Sequence, residues 1–330
     1  MKSLNEDLKT GKFKQIYLLY GSEGYLKKQY KERFIKAMLP EGDTMNYAYY
    51  EGKGTDIKEV IDLSETLPFF APRRLVVFEN TGFFKSGGND LADYVRELPE
   101  TTFYIFIESE IDKRSRLYKT VKTKGHIVEL ATQDENTLKR WIQSILKKEG
   151  KSMADADILY FLNKVGTDME NIQKELEKLV CYALERQTLG REDVDAVCVT
   201  QISNHIFDMV SAVSEKNQRH ALDLYYELLA LKEPPMRILF LIARQFNQLL
   251  LVKSLAAKGM DRSSIASKAQ VAPFIAGRLM TQARSFTLEQ LKNAVKDCVD
   301  AEEAVKTGRM TDILSVELLI VKYSAGILKK

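Results

Sequence analysis

Few residues in this 330-residue chain have the types and spacing for chemistry, and the first set is a phosphate site that is only half furnished. A strand-like run, residues 14–20, leads into Gly21-Ser-Glu-Gly24 and then a stretch with Leu26, Tyr30, Phe34 and Met38 at four-residue steps. Strand, glycine turn and helix is where a P-loop sits: its backbone N–H groups cradle phosphates, its lysine reaches them, and its Ser or Thr holds Mg²⁺. Laid on G-x-x-x-x-G-K-[ST], Gly21 takes the first glycine and Lys27 the lysine slot. Leu26 replaces the second glycine and Lys28 the hydroxyl residue, so the cradle is crowded and the metal lacks its ligand. The apolar run 75–78 ends in Glu79-Asn80, one acid where an ATPase usually places two. These substitutions predict a P-loop-like turn without nucleotide. The alternative is an ATPase with an atypical P-loop that uses Lys27.

The second set is Leu67-Pro-Phe-Phe-Ala-Pro-Arg-Arg-Leu75. Pro68 and Pro72 each fix φ and remove a backbone donor, so neither a helix nor a central strand runs through this segment. Phe69 and Phe70 therefore lie on a kinked loop just before the buried strand at 75–78. Two readings stand: the rings fold back into the core, as most phenylalanines do, or they project as a plug for a partner. Arg73 and Arg74 either steer the loop toward an acidic surface or are solvated charges at a strand start.

A third set is basic: Lys113, Arg114, Arg116, Lys119, Lys122 and Lys124 put six positive charges in twelve residues, with Leu117, Tyr118 and Val121 inward. This is a solvated helix face or a phosphate-contacting one. His126, His205 and His220 have no metal-ligand spacing with one another or with Cys181, Cys198 and Cys298, so no metal site is predicted. No Gly-x-Ser-x-Gly occurs, and no nucleophile has an evident base, so no catalytic residue is assigned.

These residues need elements to hold them. Strands at 14–20, 44–50, 75–78, 102–108 and 126–130 alternate with amphipathic helices, which predicts a parallel, helix-covered sheet. The basic helix is expected at 113–124. After Thr132 the pattern holds no further strand. Helices fit 134–149, 154–165, 168–186 (with Asp168 as N-cap) and 190–197, and another group runs from about 203, broken at Glu233-Pro-Pro235, Gly259 and Pro273. The expected architecture is an α/β domain at 1–133, a small helical domain at 134–205 and a larger helical domain at 206–330. Dense apolar stripes such as Ile238, Leu241, Ile242, Gln245, Leu249 and Val252 call for burial on several sides.

Composition agrees. Apolar residues make up 45% and charged residues 29%, as in soluble globular proteins, and 330 residues suit two or three domains. The net charge, 49 − 46 = +3, is too small to hold nucleic acid by itself. Four polar residues, Arg244, Gln245, Asn247 and Gln248, inside the most apolar run argue against a membrane span. The N-terminal residues carry no apolar secretory core, so the expected compartment is the cytoplasm.

Several segments, in this order and spacing, carry a family resemblance. They are Tyr17-Leu-Leu-Tyr-Gly21, Leu67-Pro-Phe-Phe-Ala-Pro-Arg-Arg-Leu75, Asp112-Lys-Arg-Ser-Arg-Leu-Tyr-Lys119, Gly166-Thr-Asp-Met-Glu-Asn-Ile-Gln-Lys-Glu-Leu-Glu-Lys-Leu179, Ile242-Ala-Arg-Gln-Phe246, Lys306-Thr-Gly308 and Glu317-Leu-Leu319. The chain resembles the delta subunits of the bacterial DNA polymerase III clamp loader, members of the AAA+ superfamily. The resemblance implies an AAA+ module with a degenerate P-loop, a helical lid and a helical collar. It implies no cofactor and no ATP hydrolysis, in a non-catalytic subunit of a DNA-directed DNA polymerase (nucleotidyltransferase) holoenzyme. The lid arginine of active relatives would fall near Met169 and is absent. Ser115-Arg116-Leu117 does not replace the Ser-Arg-Cys finger of the sister subunits, and their four-cysteine zinc insert is missing.

The resemblance also turns Phe69 and Phe70 outward, as a plug for a pocket on the sliding clamp (beta subunit), with Leu67 and Arg73 beside them. The clamp would thereby be opened for loading onto primed DNA. Further implied partners are the delta prime and tau/gamma ATPase subunits through the collar. Primer–template DNA would lie within the assembled complex, with Lys113, Arg114, Arg116 and Lys119 as candidate contacts, and no membrane is involved.

Overall fold

The structure is a computed structural model that describes residues 2–200, 202–271 and 273–325. The chain divides into two compact units, Met1–Gln133 and Asp134–Lys330. The first unit runs α1 (Lys2–Thr10), β1 (Ile16–Tyr20), α2 (Gly24–Met38), β2 (Tyr47–Glu51), α3 (Ile57–Glu65), β3 (Arg74–Glu79), α4 (Asn89–Tyr94), β4 (Thr102–Glu108), α5 (Arg116–Lys124) and β5 (His126–Glu129). The five strands form one parallel sheet in the order β2-β3-β4-β1-β5.

Both faces of the central strands are buried, which is why they read as continuous apolar runs. On one face the register stacks Ile16 beside Tyr104 and Leu18 beside Phe106, with Val76 and Phe78 on the far side of the same rows. Phe78 and Phe106 stack with centroids 4.6 Å apart, and Phe78 meets Tyr104 edge-on at 5.0 Å. The other face buries Tyr17, Leu19, Leu75, Val77, Ile105 and Ile107.

Strand β4 occupies 102–108, as its sequence pattern predicts. Two corrections concern the first unit. Helix α5 begins at Arg116 rather than 113, because Ser115 caps it by accepting from the Tyr118 amide at 3.3 Å. Lys113 and Arg114 therefore precede the helix. Helix α1 was not anticipated; it is held mainly by the fully buried Leu4.

The second unit runs α6 (Glu135–Lys148), β6 (Ser152–Met153), α7 (Asp155–Val165), α8 (Met169–Ala183), β7 (Thr188–Leu189), α9 (Arg191–Val197), α10 (Ile202–Ser214), α11 (Gln218–Ala230), α12 (Pro235–Ala257), α13 (Arg262–Ala269), α14 (Pro273–Arg284), α15 (Leu288–Lys306) and α16 (Asp312–Ser324). Asp168 caps α8, accepting from the Asn171 amide at 2.8 Å. The expectation of no strand after Thr132 is overturned: β6 and β7 pair in parallel, Ser152 with Thr188 and Met153 with Leu189. Two-residue strands carry no period that a sequence pattern can show.

Helix α12 is long and apolar enough to cross a membrane by length and composition alone. Here it is a central core helix. Its residues Ile238, Leu239, Ile242, Phe246, Leu249 and Val252 are buried in one apolar cluster with side chains of α10, α11 and α13–α16. Gln245, buried within that stripe, donates to Gln282 at 2.6 Å, and Gln282 donates to the Phe207 carbonyl and to Ser211. The polar atoms inside the helix are thereby satisfied by its neighbours.

Candidate partner-binding loop and nucleotide-site remnant

The loop from Leu67 to Pro72 lies between α3 and β3, at the edge of the sheet where the parallel strands begin. Helix α3 is fixed to the sheet from below: Ser64 Oγ lies 2.6 Å from the Tyr104 hydroxyl, and Thr102 donates to the Ser64 carbonyl at 3.0 Å. The chain then leaves the core. Leu67 is 81% exposed, Phe69 56% and Phe70 96%, so the two aromatic rings are not part of the core. They pack on each other edge-to-face with centroids 4.6 Å apart. Phe70 has φ +48°, a left-handed conformation that costs a non-glycine residue free energy and persists only where the surroundings impose it.

Those surroundings come from the turn before β2. The Asn46 side chain accepts from the Phe69 amide at 2.6 Å and donates to the Phe69 carbonyl at 2.9 Å. Asp43 in turn accepts from the Asn46 amide group and from the Asn46 backbone N–H, at 2.8 and 3.0 Å. The Asn46 hydrogen bond is the main reason the Asp43 carboxyl is held below the usual range. Buried Arg74 donates to the Leu67 carbonyl at 3.1 Å. Arg73 is placed differently: its guanidinium lies 5.2 Å from the Phe13 ring and 5.3 Å from the Phe103 ring, a cation–π sandwich. The apolar trio Leu67, Phe69 and Phe70 is thus what the loop offers to solvent.

The P-loop-like turn sits at the opposite edge, where the strands end. Gly21 has φ +125°, and a Cβ there would lie 2.4 Å from the Leu130 carbonyl oxygen. Two backbone donors of the turn are already used. Gly21 N–H donates to the Glu108 carbonyl at 3.2 Å and Glu23 N–H to the Leu130 carbonyl at 2.9 Å. The Glu23 carboxylate caps α2, accepting from the Tyr25 amide at 3.3 Å. An acidic side chain of the chain itself thus stands at the positive end of the helix, where a phosphate would bind.

Lys27 is buried at 9% exposure. Its Nζ donates to the Glu108 carbonyl at 3.4 Å and to Ser109 Oγ at 3.3 Å. Burial pushes its pKa down, and the charges of Glu79, Glu108 and Glu23 partly oppose that. Glu79 is engaged by Lys31 at 2.5 Å and by the Tyr49 hydroxyl at 3.0 Å. Leu26 is buried, and so, in the second unit, is Met169 at the start of α8. Gly21, Lys27 and Glu79 do converge at one edge of the sheet, but each is held by the protein's own groups.

Sequence reasoning missed Glu108, the buried last residue of β4. It accepts from the Thr81 amide (3.1 Å), the Thr81 hydroxyl (2.8 Å) and the Gly82 amide (3.2 Å). Burial raises its pKa, and these hydrogen bonds work against the rise. An acid ending the most apolar strand was the available signal. Asp43 and Asn46 were missed as well; the Asp-x-x-Asn spacing before a strand is turn chemistry and points to no particular partner.

Three of the six cations of the basic set are paired. Lys113 meets Glu129 at 3.3 Å, Arg114 meets Asp112 at 3.1 Å and Arg116 meets Asp93 at 2.6 Å. Lys119 is exposed and makes no ion pair among the described residues.

Two family models match this chain: "DNA polymerase III, delta subunit" over residues 17–131 and "DNA polymerase III delta subunit, C-terminal domain" over residues 203–323. This chain belongs to the DNA polymerase III delta subunit family. The DNA polymerase III subunit delta of Bacillus subtilis (strain 168) is 25% identical over 329 residues, covering 96% of this chain and 95% of that protein. An Aquifex aeolicus (strain VF5) protein named "Probable DNA polymerase III subunit delta" is 23% identical over 295 residues, 85% of this chain and 83% of its own. Among solved structures, the Bacillus subtilis DNA clamp loader delta protein (YqeN) superposes with a TM-score of 0.80 at 24% identity, over 98% of this chain and 99% of that one. The delta fold therefore extends over both units. The matched N-terminal region contains the exposed loop and the P-loop-like turn alike.

Proposed function

We propose that this delta-family chain is the clamp-opening subunit of a clamp loader and acts through contacts, without binding or hydrolysing ATP. The observation that carries the reading is the loop from Leu67 to Pro72: three large apolar side chains held in solvent by a proline-bounded, hydrogen-bonded backbone. Exposed apolar groups of this kind mark interaction sites. Phe69 and Phe70 enter a pocket on the sliding clamp, with Leu67 at its rim. Arg73, engaged by Phe13 and Phe103, supports the base of the loop. Such a wedge opens the clamp if it binds the strained, opened interface better than the closed one.

The occupied remnant around Gly21, Lys27 and Glu79 supports a subunit with no catalysis of its own. Other clamp-loader subunits, delta prime and the tau/gamma ATPases, assemble with it through a collar at 206–330, and 134–205 serves as a lid. The single apolar cluster running from Ile206 to Tyr323 supports that subdivision. Primer–template DNA is met within the assembled complex, in the cytoplasm.

The test is binding of the cognate sliding clamp by the full chain and by Phe69→Ala/Phe70→Ala. Burial of one Phe contributes about 1.5–3 kcal/mol, so the double substitution is expected to weaken binding at least about a hundredfold and abolish opening. A double variant that binds and opens the clamp normally would overturn the plug assignment.

A further inference from the structure

The loop that presents Phe69 and Phe70 is anchored at Phe69 to the turn before β2. We infer that Asn46 is a positioning residue for the partner-binding loop: it clasps Phe69 by both backbone groups and so holds the loop in its binding shape before any partner arrives. This rests on the proposed plug function and adds to it a residue that the partner never touches. Asn46 is 2% exposed, so its contribution to binding has to pass through the loop.

The geometry supports the role in three ways. The Asn46 side chain uses both its acceptor and its donor on one residue, Phe69, 23 positions away. This pair of hydrogen bonds fixes the peptide planes on either side of Phe69 and does not involve its ring. Asn46 is itself immobilised. Its Nδ2 donates to Asp43, its backbone N–H donates to Asp43, and its carbonyl accepts from the Leu75 amide at 2.8 Å at the start of the β2–β3 ladder. The next residue, Phe70, then takes its positive φ and is 96% exposed, its ring resting edge-to-face on that of Phe69. Pro68 and Pro72 limit the conformations on both sides. A segment ordered in advance loses less conformational entropy on binding, so affinity rises without a new contact.

The experiment uses the full chain, with amide hydrogen exchange followed by NMR and binding measured against the cognate sliding clamp. In the free wild-type chain the Phe69 amide is expected to exchange at least about tenfold more slowly than in an unfolded peptide. In Asn46→Ala that protection is lost while the melting transition remains cooperative. Clamp affinity falls about tenfold, the loss expected for two net hydrogen bonds. Asp43→Asn, which keeps an acceptor but weakens the support of Asn46, gives a smaller loss of about two- to threefold.

An unprotected Phe69 amide in wild type overturns the inference, and so does wild-type affinity in Asn46→Ala. If Asn46→Ala does not fold, wild-type exchange together with Asp43→Asn decides, and unchanged affinity in Asp43→Asn counts against the role. The two readings separate cleanly. Phe69→Ala/Phe70→Ala binding as tightly as wild type defeats the plug. Loss of binding there, with unchanged binding in Asn46→Ala, defeats only the positioning role.

Discussion

At the scale of the residue, Lys27 stands in the lysine slot of the P-loop-like turn and is held there by groups of the protein itself. In a P-loop the lysine ammonium meets phosphate. Here it is buried, and the two groups it donates to are a backbone carbonyl and a serine hydroxyl, at 3.4 and 3.3 Å. A buried ammonium so weakly compensated costs free energy, which is why burial lowers its pKa. Lys27→Met is accordingly expected to be no less stable than wild type at neutral pH and to gain about 1 kcal/mol in urea unfolding. The pH dependence follows from the same shift. Because the folded-state pKa is lowered, the unfolded chain binds more protons in the alkaline window between that value and the ordinary lysine value of about 10.4. Wild type therefore gains stability as pH rises through the window, and its difference from Lys27→Met narrows. ATP at millimolar concentration should shift the melting temperature of neither protein, since a ligand that binds only the native state must stabilise it. An ATP-dependent shift in wild type that Lys27→Met removes would instead support an active ATPase. A large loss of stability in the variant would mean that attraction to Glu79, Glu108 and Glu23 outweighs the cost of burial.

At the scale of the element, the turn from β1 to α2 shows how a P-loop-like sequence persists for structural reasons. Gly21 is required because the chain passes against the Leu130 backbone, with φ +125° and no room for a Cβ. Gly21→Ala is expected to lower the unfolding free energy measured in urea by about 2–3 kcal/mol, through the β1–β5 junction. A variant of unchanged stability would show that the turn relaxes freely. Much of this unit was legible beforehand. Strand β4 could be read end to end because a strand buried on both faces is a continuous apolar run. Helix α5 was read three residues too long, because Lys113 and Arg114 extend the charge pattern while the Ser115 cap decides where the helix begins. The site was legible in a different way. Exposure of Phe69 and Phe70 goes against the ordinary burial of phenylalanine, and only the flanking prolines and the family resemblance pointed outward. The hold of Asn46 on Phe69 was not legible, since it exists only once β2 and β3 pair and bring positions 23 apart together. Burial of Glu108 likewise depends on Thr81 and Gly82 arriving from the end of β3.

At the scale of the whole molecule, the balance of charge decides how much this chain holds DNA by itself. Its net charge is +3, and three of the six cations in the densest basic stretch are paired with carboxylates: Lys113 with Glu129, Arg114 with Asp112 and Arg116 with Asp93. A cation already paired with a carboxylate neutralises little phosphate charge unless the pair opens, and opening it leaves the acid unpaired beside the DNA. Of the four candidate contacts, Lys119 is the one without an ion pair among the described residues. The isolated full chain is therefore expected to bind primer–template DNA no more tightly than about 10⁻⁶ M at physiological salt, within the range of non-specific binding. Replacing Lys113, Arg114, Arg116 and Lys119 together by Ala should reduce the slope of log affinity against log salt by about 1, the share of a single phosphate contact. A reduction of about 3–4 would mean that all three ion pairs open toward phosphate and that the basic stretch is a DNA-binding surface in its own right. With the smaller slope, the isolated chain contributes little of its own to holding DNA, in keeping with the contact role proposed for the apolar loop.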